Sequence, residues 1–260
     1  MSAYFLIGTT KMDSPLNDIR IGHVCHDWAQ TQKIKSFYFP EIASTNSKAK
    51  ADAFAEDTLA EHLILYFADA QTAGRGRGTN TWSTAIPGSQ LLSTWSFMLQ
   101  EHVQPILSPL VGLALYKSAL TTWPFLNFNL KAPNDLYIGT KKIGGLLLET
   151  ISQGDDIRLL LGLGFNVLSH PSDLSLATNL VAELPKTAPL LAQDWITFLE
   201  RFIFEVSIAI QLSAEPMDST VCTTLLFALN KHPHLKEKYT AIDGDGSLRT
   251  ESQKLNWFDL

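Results

Sequence analysis

Apolar and polar positions along this chain follow two rhythms. "HLILYFAD" and "LLSTWSFM" are short apolar runs bounded by polar residues, as in buried strands, and Trp95 and Phe97 share one face of the second. "NFNLK", "KKIGGLLLET" and "IRLLLGLGFNV" read as three more strands, the first two separated by a turn segment, "APNDLYIGT". Helical spacing takes over elsewhere. Ser44 is placed to cap a helix running to about Phe54, and Ser108-Pro109 opens another with Leu110, Leu113, Ala114 and Leu120 on one side. From Leu190 to Gln211, Leu191, Trp195, Phe198, Leu199, Phe202, Val206 and Ile210 keep helical register, the longest helix expected. After His-Pro-His at 232–234, "YTAIDGDGSLRTES" has the turn chemistry of a β-hairpin, too small to fold alone.

That order predicts an α/β (α+β type) chain, a mixed β-sheet backed by helices with the motif loops over one face. Residues 1–34 are weakly patterned and are read as an N-terminal extension, 35–232 as the main domain, and 233–260 as a small C-terminal β remnant. A length of 260 residues with 45% hydrophobic content suffices for a sizeable core. The formal net charge of −6 and a total of six arginines argue against a general nucleic-acid surface, which needs clustered cations. Cys25 and Cys222 are the only cysteines, so no disulfide framework or four-cysteine zinc site is expected, and a reducing cytoplasm fits. The opening "MSAYFLIG" is too short to span a membrane. "HVCH" is read as local packing ahead of metal binding, since no second cluster completes a tetrahedral set. Asp155-Asp156 is read as a solvated turn, and no P-loop pattern occurs.

One stretch stands out chemically. "DAQTAGRGRGTNTW" places three glycines and two arginines within five residues after a strand, which suits a loop that lets backbone approach an anion while guanidinium forks grip it. About fifty residues on, "KAPNDLYIGTKKIGGLLLE" sets Lys131 at the end of one strand and Lys142 at the start of the next. Taken singly, each has a plain structural reading: a solvated hairpin, an ordinary turn, an edge lysine.

In one order, "STN", "QTAGRGRG", "KAPND", "KKIGGLLLE" and "LGLGFN" resemble the signature segments of biotin protein ligases, from about Phe37 to Leu212. The resemblance is to the short form without an N-terminal DNA-binding domain. It implies a catalytic domain like that of class II aminoacyl-tRNA synthetases, which activates biotin with ATP and Mg²⁺ as biotinyl-5′-AMP and transfers it to a lysine of a biotin carboxyl carrier protein. By resemblance, Lys142, Arg77, Lys131 and Asp135 are the catalytic residues, Asp135 acting on the metal-phosphate or orienting Lys142. Ser44, Thr45, Gln71, Gly74, Arg75, Arg77, Trp82, Lys142 and Gly145 line the biotin site. Arg77, Asn134, Lys142 and Asn166 face the nucleotide, and no metal ligand set is assigned.

Ala132 departs from the family tryptophan in KWPND, and Gly78-Thr79-Asn80 replaces a frequent Arg-Gly-Arg. The expected partners are biotin, ATP and the carrier protein, with no specific nucleic acid or membrane, and the protein is expected as a monomer or homodimer. Two alternatives stay open: a lipoate- or octanoate-transferring relative of the same fold, and a biotin-binding regulator without ligase activity.

Overall fold

The computed structural model describes residues 5–7, 10–12, 19–214, 217–257 and 260. In chain order the elements are β1 (Phe5–Ile7), β2 (Thr10–Met12), α1 (Ile21–Thr31), β3 (Lys35–Phe39), α2 (Thr45–Asp52), β4 (Leu63–Ala68), β5 (Gln90–Leu99), α3 (Leu107–Thr122), β6 (Phe128–Lys131), β7 (Asp135–Ile138), β8 (Lys141–Gln153), β9 (Asp156–Asn166), α4 (Leu180–Glu183), α5 (Ala192–Leu212), α6 (Ser219–Asn230), β10 (Ala241–Ile242), β11 (Leu248–Arg249) and β12 (Lys254–Leu255). Seven strands form one mixed sheet in the order β3-β4-β5-β9-β8-β7-β6, with β3 and β4 parallel and β4, β5, β9 and β8 successively antiparallel. The chain divides into two compact units, residues up to His102 with Gly144–Ile196, and Val103–Ile143 with Thr197–Leu260.

In the first unit, register fixes two faces. Tyr66, Thr94, Gly162 and Leu147 lie opposite one another across β4, β5, β9 and β8; Ala68, Leu92, Gly164 and Gly145 form the next row, and Ile64, Ser96, Leu160 and Glu149 another. Paired residues share a face and alternate residues return to it, so these three rows make one surface. On it Ala49 of α2 packs with Ile64, Tyr66 and Leu160. The other surface is apolar: Trp28 of α1 meets Trp95 with ring centroids 6.3 Å apart, and Trp195 of α5 meets Phe165 at 5.9 Å. Trp28, Trp95 and Trp195 are fully buried, each contributing about 2–3 kcal/mol by removal from water.

In the second unit, α3 is buried almost all round rather than on one side, Leu110 through Tyr116 all being enclosed. Trp123 and Phe198 stack in this core with centroids 5.4 Å apart, and Trp257 Nε1 donates to Ser108 Oγ at 3.1 Å.

Several expectations change. The weak patterning read into residues 1–34 passes over α1, whose Ile21, Cys25 and Trp28 recur at helical spacing and are buried; residues 1–4, 8–9 and 13–18 of that extension lie outside the described residues. "APNDLYIGT" is not one turn. Leu136, Tyr137 and Ile138 are buried in β7, which pairs with β6 as a hairpin, and turns remain only at 132–134 and around Gly139. Asp156 opens β9 rather than lying in the turn. The C-terminal hairpin turns at Gly246, where φ is +84°, and gains a third strand, β12.

Candidate active site

The site-bearing residues of the first unit are set by α2 and the segment after β4. Ser44, 3% exposed and extended in backbone, caps α2 by accepting Ser47 N–H at 3.4 Å. This cap aims the first turn of α2 at the sheet. Thr45 N–H donates to Gln71 Oε1 at 2.8 Å and Thr45 Oγ1 to the same oxygen at 3.3 Å, while Thr94 Oγ1 lies 2.9 Å from Thr45 Oγ1 and donates to Asn46 Oδ1. Gln71 is held at its own backbone by Thr84, whose hydroxyl accepts Gln71 N–H at 2.9 Å and donates to Gln71 O at 3.1 Å.

The Gly/Arg stretch folds as a small hairpin. Trp82 N–H donates to Gly74 O at 3.0 Å, Gly76 N–H to Asn80 O at 2.9 Å and Asn80 N–H to Arg77 O at 3.1 Å, with Gly78 at φ +62° forming the turn. The chain leaving β4 ahead of it is held by Asp69, a fully buried carboxylate whose Oδ2 accepts from Arg20 at 3.0 Å and from Tyr38 OH. Burial and that carboxylate together raise the Tyr38 pKa.

The sheet beneath explains the "GLG" of "LGLGFN". A Cβ on Gly164 would lie 2.4 Å from the Trp82 ring, and one on Gly162 2.5 Å from Asn46 Oδ1, so the two glycines form a floor under the indole and the amide. Gly145 pairs with Gly164 in the next strand. Arg75 reaches Glu149 in a two-pronged ion pair, at 2.9 and 3.0 Å, and Asn46 Nδ2 donates to the same carboxylate at 3.1 Å. Asn166, 3% exposed, is engaged at both ends of its amide: Oδ1 accepts from Gln90 at 2.8 Å and Nδ2 donates to Thr178 O at 2.9 Å. The unit thus offers amides and hydroxyls beside the Trp82 indole, which lies directly on Gly164, the surroundings suited to a small molecule with a polar head and an apolar body.

In the second unit the structure brings together Lys131, Asn134, Asp135 and Lys142. The β6–β7 hairpin sets Lys131 opposite Asp135, with Asn134 in the turn between them. Lys142 Nζ lies 2.6 Å from Asp135 Oδ1. Lys131 Nζ stands 5.8 Å from the Tyr137 ring centre, and burial, with Asp135 as a second cause, pushes the Tyr137 hydroxyl up to about 12. Two lysines to one carboxylate leave a net positive group, suited to a phosphate. His232 backs this hairpin, its Nδ1 2.7 Å from Asn129 Oδ1 and its ring 4.9 Å from Tyr137. The bond at Ala132-Pro133 is cis.

Sequence reasoning missed Asn46, Thr94, Glu149 and Gln90. Asn46 closes the "STN" segment and Glu149 closes "KKIGGLLLE", whereas Thr94 and Gln90 carry no signal of their own. It also missed Arg158, fully buried, which donates to the carbonyls of Ala53 at 2.7 Å, Thr58 at 2.6 Å and Glu61 at 2.9 Å and so ties the chain after α2 to β9. Desolvation lowers its pKa, yet a guanidinium keeps its proton. Cys25 of "HVCH" is enclosed, accepts from Trp195 Nε1 at 3.3 Å and has its thiol pushed up to about 12 by burial. No cluster of three or more His, Cys, Asp or Glu able to hold a metal occurs among the described residues.

Comparison with known proteins bears on the same segments. The model of the Biotin/lipoate A/B protein ligase family matches residues 38–166. Among curated relatives, a biotin–protein ligase of Homo sapiens is 31% identical over 191 residues, 68% of this chain and 26% of that protein. A biotin–[acetyl-CoA-carboxylase] ligase of Mycobacterium tuberculosis is 27% identical over 155 residues, 57% of each chain. This chain therefore spans about a quarter of the human relative's length. Among solved structures, biotin protein ligase from Aquifex aeolicus in complex with biotin and ATP aligns with a TM-score of 0.61 and 23% identity, covering 85% of this chain and 94% of that one. The matched stretch runs from β3 to β9 and includes α2, the Gly/Arg hairpin, the β6–β7 hairpin and the glycines of β9, so that residues 38–166 are similar to the Biotin/lipoate A/B protein ligase family.

Proposed function

We propose that this protein is an ATP-dependent ligase that activates biotin as biotinyl-5′-AMP and transfers the biotinyl group to a lysine of a carboxyl carrier protein. The observation that carries it is the polar set Thr45, Gln71, Thr94 and Asn46 beside the Trp82 indole that packs on Gly164. A fused bicyclic ureido head needs donors and acceptors of that kind, and its hydrocarbon body needs an apolar wall such as the indole. In the first step a biotin carboxylate oxygen attacks the α-phosphorus of MgATP and pyrophosphate leaves. Two anions must meet, and fixed cations lower that barrier more than mobile water does. Lys142, oriented by Asp135, and Lys131 are the candidates for that role in the second unit, where Asn134 faces the nucleotide, and Arg77 of the hairpin is the candidate in the first. Asn166 serves from behind, through Gln90 and Thr178. In the second step the neutral amine of a carrier lysine attacks the carbonyl carbon of the mixed anhydride, and AMP departs with its oxygen.

Magnesium enters with ATP as substrate. The relatives named as biotin ligases and the structure solved with biotin and ATP support this reading. Residues 35–232 would form the catalytic part, 1–34 an extension and 233–260 a β appendix. No helix among the described residues is long and apolar enough to cross a membrane.

The test is incubation with ATP, radiolabelled biotin and a purified biotin carboxyl carrier domain. Label on the carrier lysine is the expected result. Label that stays bound to the protein without transfer would instead make it a biotin-binding regulator, and transfer of lipoate or octanoate in place of biotin would make it the relative with that specificity.

A further inference from the structure

We propose that Glu149 is a positioning residue for biotin activation, bracing the Gly/Arg hairpin and the start of α2 through one carboxylate. The inference rests on the ligase reading above. Three donors converge on this side chain: Arg75 Nη2 on Oε1 at 3.0 Å, and Arg75 Nη1 on Oε2 at 2.9 Å together with Asn46 Nδ2 at 3.1 Å. Glu149 sits on the same sheet surface as Gly145 and Leu147, two and one alternations along β8, so its side chain rises at the margin of the glycine floor.

A line of contacts follows from it. Glu149 orients the Asn46 amide, whose Oδ1 then faces the Thr94 hydroxyl; Thr94 meets Thr45, and Thr45 meets Gln71. In the other direction Arg75 belongs to the hairpin whose far strand carries Trp82, through the bridge between Arg75 and Thr81. One carboxylate therefore orients both the polar set around Thr45 and the hairpin that carries Trp82.

The chemistry favours glutamate specifically. A carboxylate accepts the planar fork of a guanidinium in two parallel bonds and has lone pairs left for an amide donor. Glutamine with its oxygen in the place of Oε2 keeps Asn46 and one Arg75 nitrogen but turns an NH₂ toward the other, so the two-pronged contact that fixes Arg75 is lost. Arg75 is accordingly a brace, its two terminal nitrogens engaged by Glu149, while anion contact on this hairpin falls to Arg77. The Arg75 side chain is 42% exposed and Glu149's is 19% exposed. An ion pair that open adds little to global stability, so its consequence is local order.

The experiment compares Glu149→Gln, Arg75→Gln and the double variant with the wild type. Tryptic cleavage after Arg77 in the unliganded protein reports opening of the hairpin, because cleavage follows the population of the open form. ATP–pyrophosphate exchange supplies KM for biotin and kcat, and thermal unfolding monitors the fold. Glu149→Gln is expected to speed cleavage roughly tenfold and raise KM for biotin roughly tenfold, with kcat within about twofold and an unchanged melting temperature. Arg75→Gln should reproduce the faster cleavage, and the double variant should add nothing to it, since both substitutions break one contact. Glu149→Asp, which keeps the charge, should recover part of the lost affinity.

An unchanged cleavage rate in Glu149→Gln overturns the proposal, as does additivity in the double variant or a fall in kcat with KM preserved. Should Glu149→Gln not fold, Arg75→Gln alone decides by the same cleavage readout. Failure of the wild type to exchange pyrophosphate would overturn the ligase reading instead, and the cleavage data would still judge the brace.

Discussion

Replacing Gly164 with alanine adds one methyl group at the point where the Trp82 indole rests on β9. The new carbon would lie 2.4, 2.6 and 2.7 Å from three atoms of the Trp82 ring, where unstrained carbon contacts need about 3.5–4.0 Å. The indole must retreat by about 1 Å or more. It is only half-buried and carried on a hairpin, so the ring moves before the sheet does. Overpacking of this kind costs about 1–3 kcal/mol, and the lower end applies where the neighbour can give. Catalysis should suffer more than stability, since displacement of a substrate-positioning group by about 1 Å costs on the order of 100-fold.

The assay is kcat/KM for biotin in pyrophosphate exchange, with tryptophan emission read on biotin addition and urea unfolding for stability. Gly244→Ala is the control, because nothing lies within 4 Å of a Cβ there. A Gly164→Ala protein with wild-type kcat/KM and wild-type emission response would refute the account in which Gly164 seats Trp82 beside the biotin site.

Lys142→Ala removes the cation 2.6 Å from Asp135 and should lower adenylate formation by about two orders of magnitude with little change in unfolding midpoint; near-normal exchange would remove Lys142 from the chemistry. Arg158→Ala strands the buried carbonyls of Ala53 and Thr58 and the half-buried one of Glu61 and opens a cavity, so urea unfolding should show a loss of at least about 3 kcal/mol, and a loss under about 1 kcal/mol would mean those carbonyls find water. His232 is held below its ordinary 6.5 by burial first, then by Lys131 and His234. The unfolded chain then binds the extra proton, so stability is full above pH 6.5 and declines as pH falls below it. His232→Gln should flatten that decline between pH 7 and 5.5 in denaturant titrations, and His26, shifted in the same direction by burial, supplies the residual slope. An unchanged slope would show that His232 titrates normally.

The sequence by itself determined what is local. Continuous apolar runs made β4, β5, β8 and β9 legible, helical spacing marked α5, and Ser44 marked the start of α2, because each of these signals lies within a few residues. The glycines and cations of the proposed site were legible for the same reason: they stand in short ordered segments whose combination is uncommon. Local reading failed where local signals were ambiguous. The α1 repeat of Ile21, Cys25 and Trp28 was short enough to pass unnoticed, and three apolar residues in "DLYI" looked like part of a turn until β6 paired with them.

Only the tertiary structure decided which of the polar residues meet. Asn46 and Glu149 are 103 positions apart, Arg75 and Glu149 are 74 apart, and Arg158 binds carbonyls about a hundred positions earlier. Nothing in a serine, a glutamate or a leucine-flanked arginine announces such a partner. The two glycines of "GLG" were visible as residues, but their purpose depended on Trp82 and Asn46 arriving over β9 from far away in the chain. Periodicity is written along the backbone, whereas hydrogen bonds across a sheet surface are set by register, and register is chosen only when the apolar faces of all the strands are buried together.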